Sequence, residues 1–215
     1  MGIKVLKGRN VKVEVATAFS AAKVVTGVTK ANPGVATSAA HGFVSGQVGY
    51  FDVSAGMVEL DGQAATADST TANTFDLTDI NTTNYTTFTA GNFVRVQTWA
   101  TLANSTKVDI AGGEASKMDV TTLLDTLRQE ENGMLAAQSV SIDLLAEQVS
   151  NAAAKALRTA ARDGSYVLVR VTYPNGSRRI FRGQPSLPGE STSIDQVVSG
   201  SLSITVKGFV VATDI

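Results

Sequence analysis

The chemistry available to this chain is limited by a single histidine and the complete absence of cysteine among its 215 residues. His41 stands in Ala-Ala-His-Gly ahead of Phe43, with no Asp, Cys or second His beside it. A general base or metal site needs such partners, so a turn or surface position is expected instead. Without thiols there is no disulfide framework, no Cys-containing zinc site and no thiol nucleophile. Asp76 and Asp79 form a carboxylate pair of the kind that hydrolyses glycosidic bonds, but that chemistry requires a fixed separation across a cleft, and solvated strand ends fit the local sequence better. Ala111 to Lys117 (AGGEASK) has the glycines of a phosphate loop without the G-x-x-x-x-G-K-[ST] spacing or a long apolar strand leading into it. It is expected to be a turn. The sequons at Asn81, Asn84, Asn104 and Asn175 follow from a Thr-rich composition and carry no weight without an export signal.

Arg170, Arg178, Arg179 and Arg182 lie on one predicted hairpin and are the strongest candidates for electrostatic contact. No aromatic residues alternate with them as nucleic-acid stacking would need, so a solvated or subunit-contacting strand face is expected. Eighteen Lys and Arg against nineteen Asp and Glu give a net charge of -1, too little positive charge to hold a polyanion. Charged residues are 17% of the chain, below the usual share of about 25%. Together these features exclude most enzymatic constellations, and neither a catalytic residue nor a cofactor nor a metal is expected. The N-terminal MGIKVLKGRNVKVEV lacks the apolar core of a signal peptide, and no stretch is long and apolar enough for a membrane helix. A soluble protein with no membrane insertion is expected.

The elements that position these residues fall into two groups. Thr26 to Trp99 contains two basic and six acidic residues, a net of -4, and eight of the thirteen aromatics. The remainder is +3. Thr66 to Thr89 alone holds ten Thr and three Asn. Short β-branched or aromatic runs separated by Gly, Asn, Asp and Ser predict a small all-β barrel or sandwich, with strands at Val48–Val53, Met57–Leu60, Thr74–Leu77 and Phe93–Thr98 and no helix. Gly42, Gly46, Gly56, Gly62 and Gly91 are expected to supply positive φ at its turns. Residues 25–99 are therefore expected to be an inserted module within a discontinuous core domain of residues 1–24 and 100–215.

In that core, Arg9 to Phe19 alternates apolar and polar residues, as a strand with one solvated face does. Gln138 to Leu145 alternates likewise, with Val140, Ile142 and Leu144 against Ser139, Ser141 and Asp143. Ala146 to Asp163 switches to helical spacing, with Gly164 as its stop. Tyr166–Tyr173, Pro174-Asn175-Gly176 and Ser177–Arg182 form a hairpin. The last strand, Ser199–Phe209, sets Leu202, Ile204 and Val206 against Ser201, Ser203, Thr205 and Lys207. In the long connection from Leu102 to Ala137, the spacing of Val120, Leu123, Leu124 and Leu127 predicts a short helix.

Ser165 to Gly183 (SYVLVRVTYPNGSRRIFRG), the Ser186 to Gly189 turn and the β-rich end resemble the tail tube proteins of long-tailed, non-contractile (siphovirus-type) bacteriophages. In that family a helix precedes a strand, a Phe/Tyr-Pro-Asn-Gly turn, a strand ending in Phe-Arg-Gly and a last long strand. The likeness covers about Gln138 to Phe209. Ala40–Phe43, Gly56–Gly62, Thr74–Leu77 and Tyr85–Gly91 resemble the small β-barrel inserts of phage structural proteins.

The resemblance implies a mainly β protein: a tail-tube-type β-sandwich or barrel with one flanking α-helix and an inserted small all-β domain. It also implies a structural virion protein, made in the host cytoplasm, whose hexameric rings stack into a tail tube that conducts genome DNA at ejection without specific binding. Its partners would be copies of itself, the tape-measure protein, and the tail terminator and baseplate or tip proteins. Ser139, Ser141, Asp143, Ser201, Ser203 and Thr205 would line the lumen. An arm with Lys4, Lys7 and Arg9, and a loop with Lys117, Asp119, Asp125, Arg128, Glu130 and Glu131, would stack rings. The insert would face outward, and deleting residues 25–99 is expected to leave tube formation possible. Alternatives are a tube protein of a related bacterial secretion system and a surface or carbohydrate-binding module using the insert's aromatics.

Overall fold

The computed structural model describes residues 8–145 and 151–213. The first half of the chain is a succession of strands: β1 (Lys12–Phe19), β2 (Lys23–Val25), β3 (Gly27–Val28), β4 (Gly34–Thr37), β5 (Gln47–Ala55), β6 (Ala64–Asp68), β7 (Thr74–Leu77) and β8 (Ala90–Thr101). There follow β9 (Ser105–Ala111), a hairpin of β10 (Ala115–Asp119) and β11 (Glu130–Leu135), then β12 (Ser139–Leu145) and the helix α1 (Ala152–Asp163). The chain ends with β13 (Val167–Thr172), β14 (Arg178–Pro185), β15 (Gly189–Ser191) and β16 (Ser199–Thr213).

Fourteen strands form one antiparallel sheet in the order β3-β4-β7-β6-β5-β8-β1-β13-β14-β16-β12-β9, with β2 added to β8 and β15 to β16. Strand β8 joins the two halves. Its first residues pair with β5 and β2, as in Phe93 opposite Phe51 and Lys23. Its last residues pair with β1, Ala100 opposite Val15 and Thr101 opposite Glu14. Register shifts in β1 between Ala16 and Phe19 bend the sheet where this exchange occurs.

Alternation along each strand sorts side chains into three cores. Val13, Val15, Val169, Val171, Ile142 and Ile204 pack with Leu157 of α1. The opposite faces of β1, β13 and β14 present Ala16, Leu168 and Ile180, which are covered by Val48, Ala64 and Val96 of the first half. The third core is aromatic, built on Phe43, Phe51, Phe75 and Phe93, and it takes in Val211 from the end of β16. The sheet thus curls so that the Thr-rich strands lie over the back of the core strands.

The helix begins with Asn151 as N-cap, its side chain accepting from the N–H groups of Ala153 and Ala154, and it ends on Gly164 in the left-handed region at φ 66°. Its expected start at Ala146 falls among residues 146–150, outside the described residues. Three expectations are corrected. Met57–Leu60 is not a strand; Val58–Leu60 forms a 3-10 turn between Gly56 and Gly62, both at positive φ. Gly91 does not turn the chain but lies inside β8, where a Cβ would come within 2.9 Å of the Asp52 carbonyl oxygen. No helix forms in the 117–134 segment. The β10–β11 hairpin occupies it, because no neighbouring surface is present for a leucine stripe to bury against.

Candidate functional site

The expected polar strand residues come together as one patch. Register places Ser139 opposite Thr205, Ser141 opposite Ser203, and Asp143 opposite Ser201. On the other side of β12 the same residues meet Ala111, Asp109 and Lys107 of β9. Ser139, Ser141, Ser201, Ser203 and Thr205 are exposed and Asp143 is half-buried, while Val140, Ile142, Leu202 and Ile204 between them face the core. The period-2 pattern of β12 and β16 therefore produces a continuous hydroxyl-rich face three strands wide. Lys107 on this face lies 3.6 Å from Asp109, and Lys207, which continues the polar side of β16 beyond Thr205, bonds Asp61 at 2.8 Å. β9 is the end of the sheet, so one edge of this face carries unpaired backbone groups.

The hairpin leaves the same strands. Ala136 donates to the Glu114 carbonyl at 2.8 Å, which carries the β9–β12 ribbon on into the β10–β11 pair. Three of the hairpin's charged residues, Asp119, Arg128 and Glu130, are tied to one another. Arg128 lies 3.3 Å from Asp119 and 3.6 Å from Glu130, and Lys117 donates to Asn132 at 2.8 Å. The hydroxyl and N–H of Thr121 hold the Asp119 carboxyl below its ordinary pKa, and the N–H and hydroxyl of Thr122 do the same for Asp125. Glu131 stands opposite Met118. Leu123, Leu124 and Leu127 at the tip are 106%, 94% and 79% exposed. Met134, Leu135, Met118 and Val120 of the same hairpin are exposed too, so it presents apolar groups along its length; the sequence showed the leucines only as a helical stripe. Arg9 is exposed just ahead of β1; Lys4 and Lys7 lie outside the described residues.

Three of the four arginines of the hairpin, Arg170, Arg179 and Arg182, are engaged within the molecule. Arg170 donates to Glu14 Oε2 through Nε at 2.9 Å and Nη2 at 2.6 Å, and its guanidinium lies 4.4 Å over Trp99. Lys12 adds a contact to Glu14 Oε1 at 2.7 Å. Burial by itself raises the Glu14 pKa, but the hydrogen bonds from Lys12 and Arg170 outweigh it and hold the carboxyl below its ordinary value. Arg182 stacks between Tyr50 and Tyr166 at 4.1 and 4.8 Å, and Lys207 lies 5.4 Å from Tyr166 while bonding Asp61 at 2.8 Å. Arg179 lies 5.7 Å over Tyr173.

His41 is neither at a turn surface nor near a catalytic partner. It is buried, its Nδ1 accepting from the Phe43 N–H at 2.9 Å and its Nε2 lying 3.3 Å from the Thr74 carbonyl oxygen, with the ring against Phe43 and Phe75. A histidine can sit there because both ring nitrogens find backbone partners. Phe43, Phe51, Phe75, Phe88 and Phe93 are buried as well, so these rings offer no platform for stacking on a sugar.

A search of curated proteins finds no match. Among solved structures, the chain is similar to one in the tail of an empty GTA particle computed with helical refinement under C6 symmetry. The TM-score is 0.46 and the identity 18%, over 55% of this chain and 88% of that one. It is also similar to one in the virion of a native gene transfer agent (GTA) particle, with a TM-score of 0.45 and 19% identity over 54% and 89%. Residues 55–212, well over half of the chain, match the family described as phage tail tube protein (TTP). That match runs through the helix, the Tyr-Pro-Asn-Gly hairpin and the last strand, and the chain belongs to the phage tail tube protein family, whose members are structural and not enzymatic.

Proposed function

We propose that this protein assembles into stacked hexameric rings that form the tail tube of a long-tailed, non-contractile phage, the conduit for genome DNA at ejection. The observation that carries the reading is the continuous polar face of β9, β12 and β16. Ser139, Ser141, Asp143, Ser201, Ser203 and Thr205 would line the lumen, where hydroxyls stay wet and the lysines nearby, each paired with an aspartate, give phosphates little to grip. The free edge of β9 would continue the face by pairing with the neighbouring subunit, which removes an exposed edge that otherwise invites disordered association. Six copies per ring is the arrangement the family resemblance implies.

Residues 25–99 serve in this reading as a module inserted into the core domain of 1–24 and 100–215, on the outside of the tube, because added density in the lumen would obstruct DNA. The hairpin with Lys117, Asp119, Asp125, Arg128, Glu130 and Glu131, together with Arg9, would contact the next ring. The tape-measure protein would occupy the lumen before ejection, and tail terminator and baseplate or tip proteins would close the two ends. The subunit would be made in the host cytoplasm and reside in the virion tail. Electron microscopy of the purified protein tests this: rings or tubes are expected, and monomers that persist at high concentration, even with tape-measure protein, overturn it.

A further inference from the structure

We propose that Asn132 is a site of spontaneous covalent modification, at which the chain converts its own side-chain amide to aspartate and isoaspartate. The reaction needs only this chain and water, so it holds whether or not rings form. The backbone nitrogen of Gly133 closes on Asn132 Cγ; the Cγ–Nδ2 bond breaks, and Nδ2 leaves as ammonia with the proton that the Gly133 nitrogen gives up. Water then opens the cyclic imide. Breaking the new bond to Cγ yields aspartate, and breaking the bond to the main-chain carbonyl carbon yields isoaspartate, in which the main chain runs through the side-chain carbon.

Asparagine is among the thermolabile residues, and a following glycine, with no Cβ, lets the attacking nitrogen approach. The sequence has two such pairs, Asn132-Gly133 and Asn175-Gly176. Their surroundings differ. In the β13–β14 turn the Gly176 N–H donates to the Tyr173 carbonyl at 2.9 Å, and Asn175 Oδ1 accepts from the Ser177 N–H at 3.1 Å. Both reacting groups there are committed to the turn, and attack has to break these bonds first.

Asn132 is exposed on β11. Pairing sets Lys117 opposite Asn132 but Ala115 opposite Leu135, so Gly133 and Met134 together face Ser116 in a bulge. The ladder is thereby disrupted at the nitrogen that has to turn. Lys117 Nζ donates to Asn132 Oδ1 at 2.8 Å. An ammonium on this oxygen draws electrons from Cγ and stabilises the negative charge that the oxygen takes on during attack. Asn175 has only a neutral N–H in that place. Lys117 and Asp119 share one face of the hairpin with Glu130 and Asn132. Aspartate at 132 adds a carboxylate to this face, in contact with Lys117. Isoaspartate lengthens the main chain by a carbon ahead of Met134, which shifts Leu135 off its pairing with Ala115.

The full-length protein, aged at mildly alkaline pH and digested beside a zero-time sample, tests this by mass spectrometry. The peptide with Asn132 should gain the mass that separates a carboxyl from an amide and split into two species of equal mass, one of them a substrate for protein isoaspartyl methyltransferase. The Asn175 peptide should stay unchanged over the same period. Conversion at Asn175 as fast as at Asn132, or conversion at neither, overturns the proposal. As a second measurement, Lys117→Met removes the cation from an exposed position. Thermal unfolding should be unaltered while conversion at Asn132 slows about tenfold, less than loss of a buried donor would cost. A rate that holds or rises overturns the activation by Lys117.

Discussion

The side chain of Gln63 holds both backbone groups of Phe209: Oε1 accepts the Phe209 N–H at 3.0 Å and Nε2 donates to the Phe209 carbonyl at 3.0 Å. The two residues are 146 positions apart, one in the Thr-rich half and the other on the last strand. Gly208 precedes the contact at φ 78°, and a Cβ there would collide with Gln63 Oε1. Lys207 to Asp61 lies beside it.

Gln63→Leu keeps the volume and removes both bonds, leaving a partly buried N–H and C=O without their partners. Stability should fall by about 2–4 kcal/mol, measured by urea unfolding. A loss below about 0.5 kcal/mol would mean the two halves are not fastened at this point.

Glu14 makes stability depend on acid pH. Its folded-state pKa lies below the ordinary value, so the contribution of its bonds to Lys12 and Arg170 is complete above the ordinary glutamate range. It disappears as pH falls through the depressed folded value. Glu14→Gln should cost about 1.5–3 kcal/mol at neutral pH and flatten the acid limb of the stability profile. An unchanged acid limb in the variant would assign acid unfolding to other carboxylates.

Ser141→Cys places the chain's only thiol in the middle of the polar face. In the unassembled protein it should react readily with a bulky polyethylene-glycol maleimide. In intact tubes that reaction should be strongly slowed while a small maleimide still enters. Equal rates of bulky labelling before and after assembly would put this face on the outside.

Deleting residues 25–99 takes away most of β8, the partner of β1, and uncovers Leu168 and Ile180, both buried in the full chain. The shortened chain is predicted to be insoluble or to bind hydrophobic dyes strongly. A soluble, cooperatively folding deletion protein would show that β1 and β13 need no cover from the Thr-rich half. This prediction differs from the expectation that tube formation survives the deletion, because changes in charge and aromatic density do not register that β8 pairs on both sides of the boundary.

Much of the core is legible in the sequence for a physical reason. β12 and β16 each bury one face, so Val140, Ile142, Leu202 and Ile204 alternate visibly with Ser and Thr, and the alternation alone marks out their hydroxyl face. The Tyr-Pro-Asn-Gly turn and Gly164 are equally explicit, since each residue has a backbone role that few others fill. β6 gives no such signal: Ala64, Ala65, Thr66 and Ala67 are all buried, and a strand covered on both faces has no period. At the hairpin the spacing of Val120, Leu123, Leu124 and Leu127 suits a helix, but spacing forms a helix only where a surface exists to receive the stripe, and this chain by itself has none there. The charged residues of the hairpin draw attention first, yet Arg128 pairs with Asp119 and Glu130, and the apolar residues between the charges are exposed as well.

The stacking of Arg182 between Tyr50 and Tyr166, with Gln63 clasping Phe209 close by, bears on engineering. Two independent fastenings suppress torsion between the Thr-rich half and the last strands, so the first half behaves as a rigid bracket and not as a swinging appendage. The exposed loop of Thr71, Ala72 and Asn73 is therefore a graft site at which a foreign peptide would be displayed at one fixed angle to the sheet.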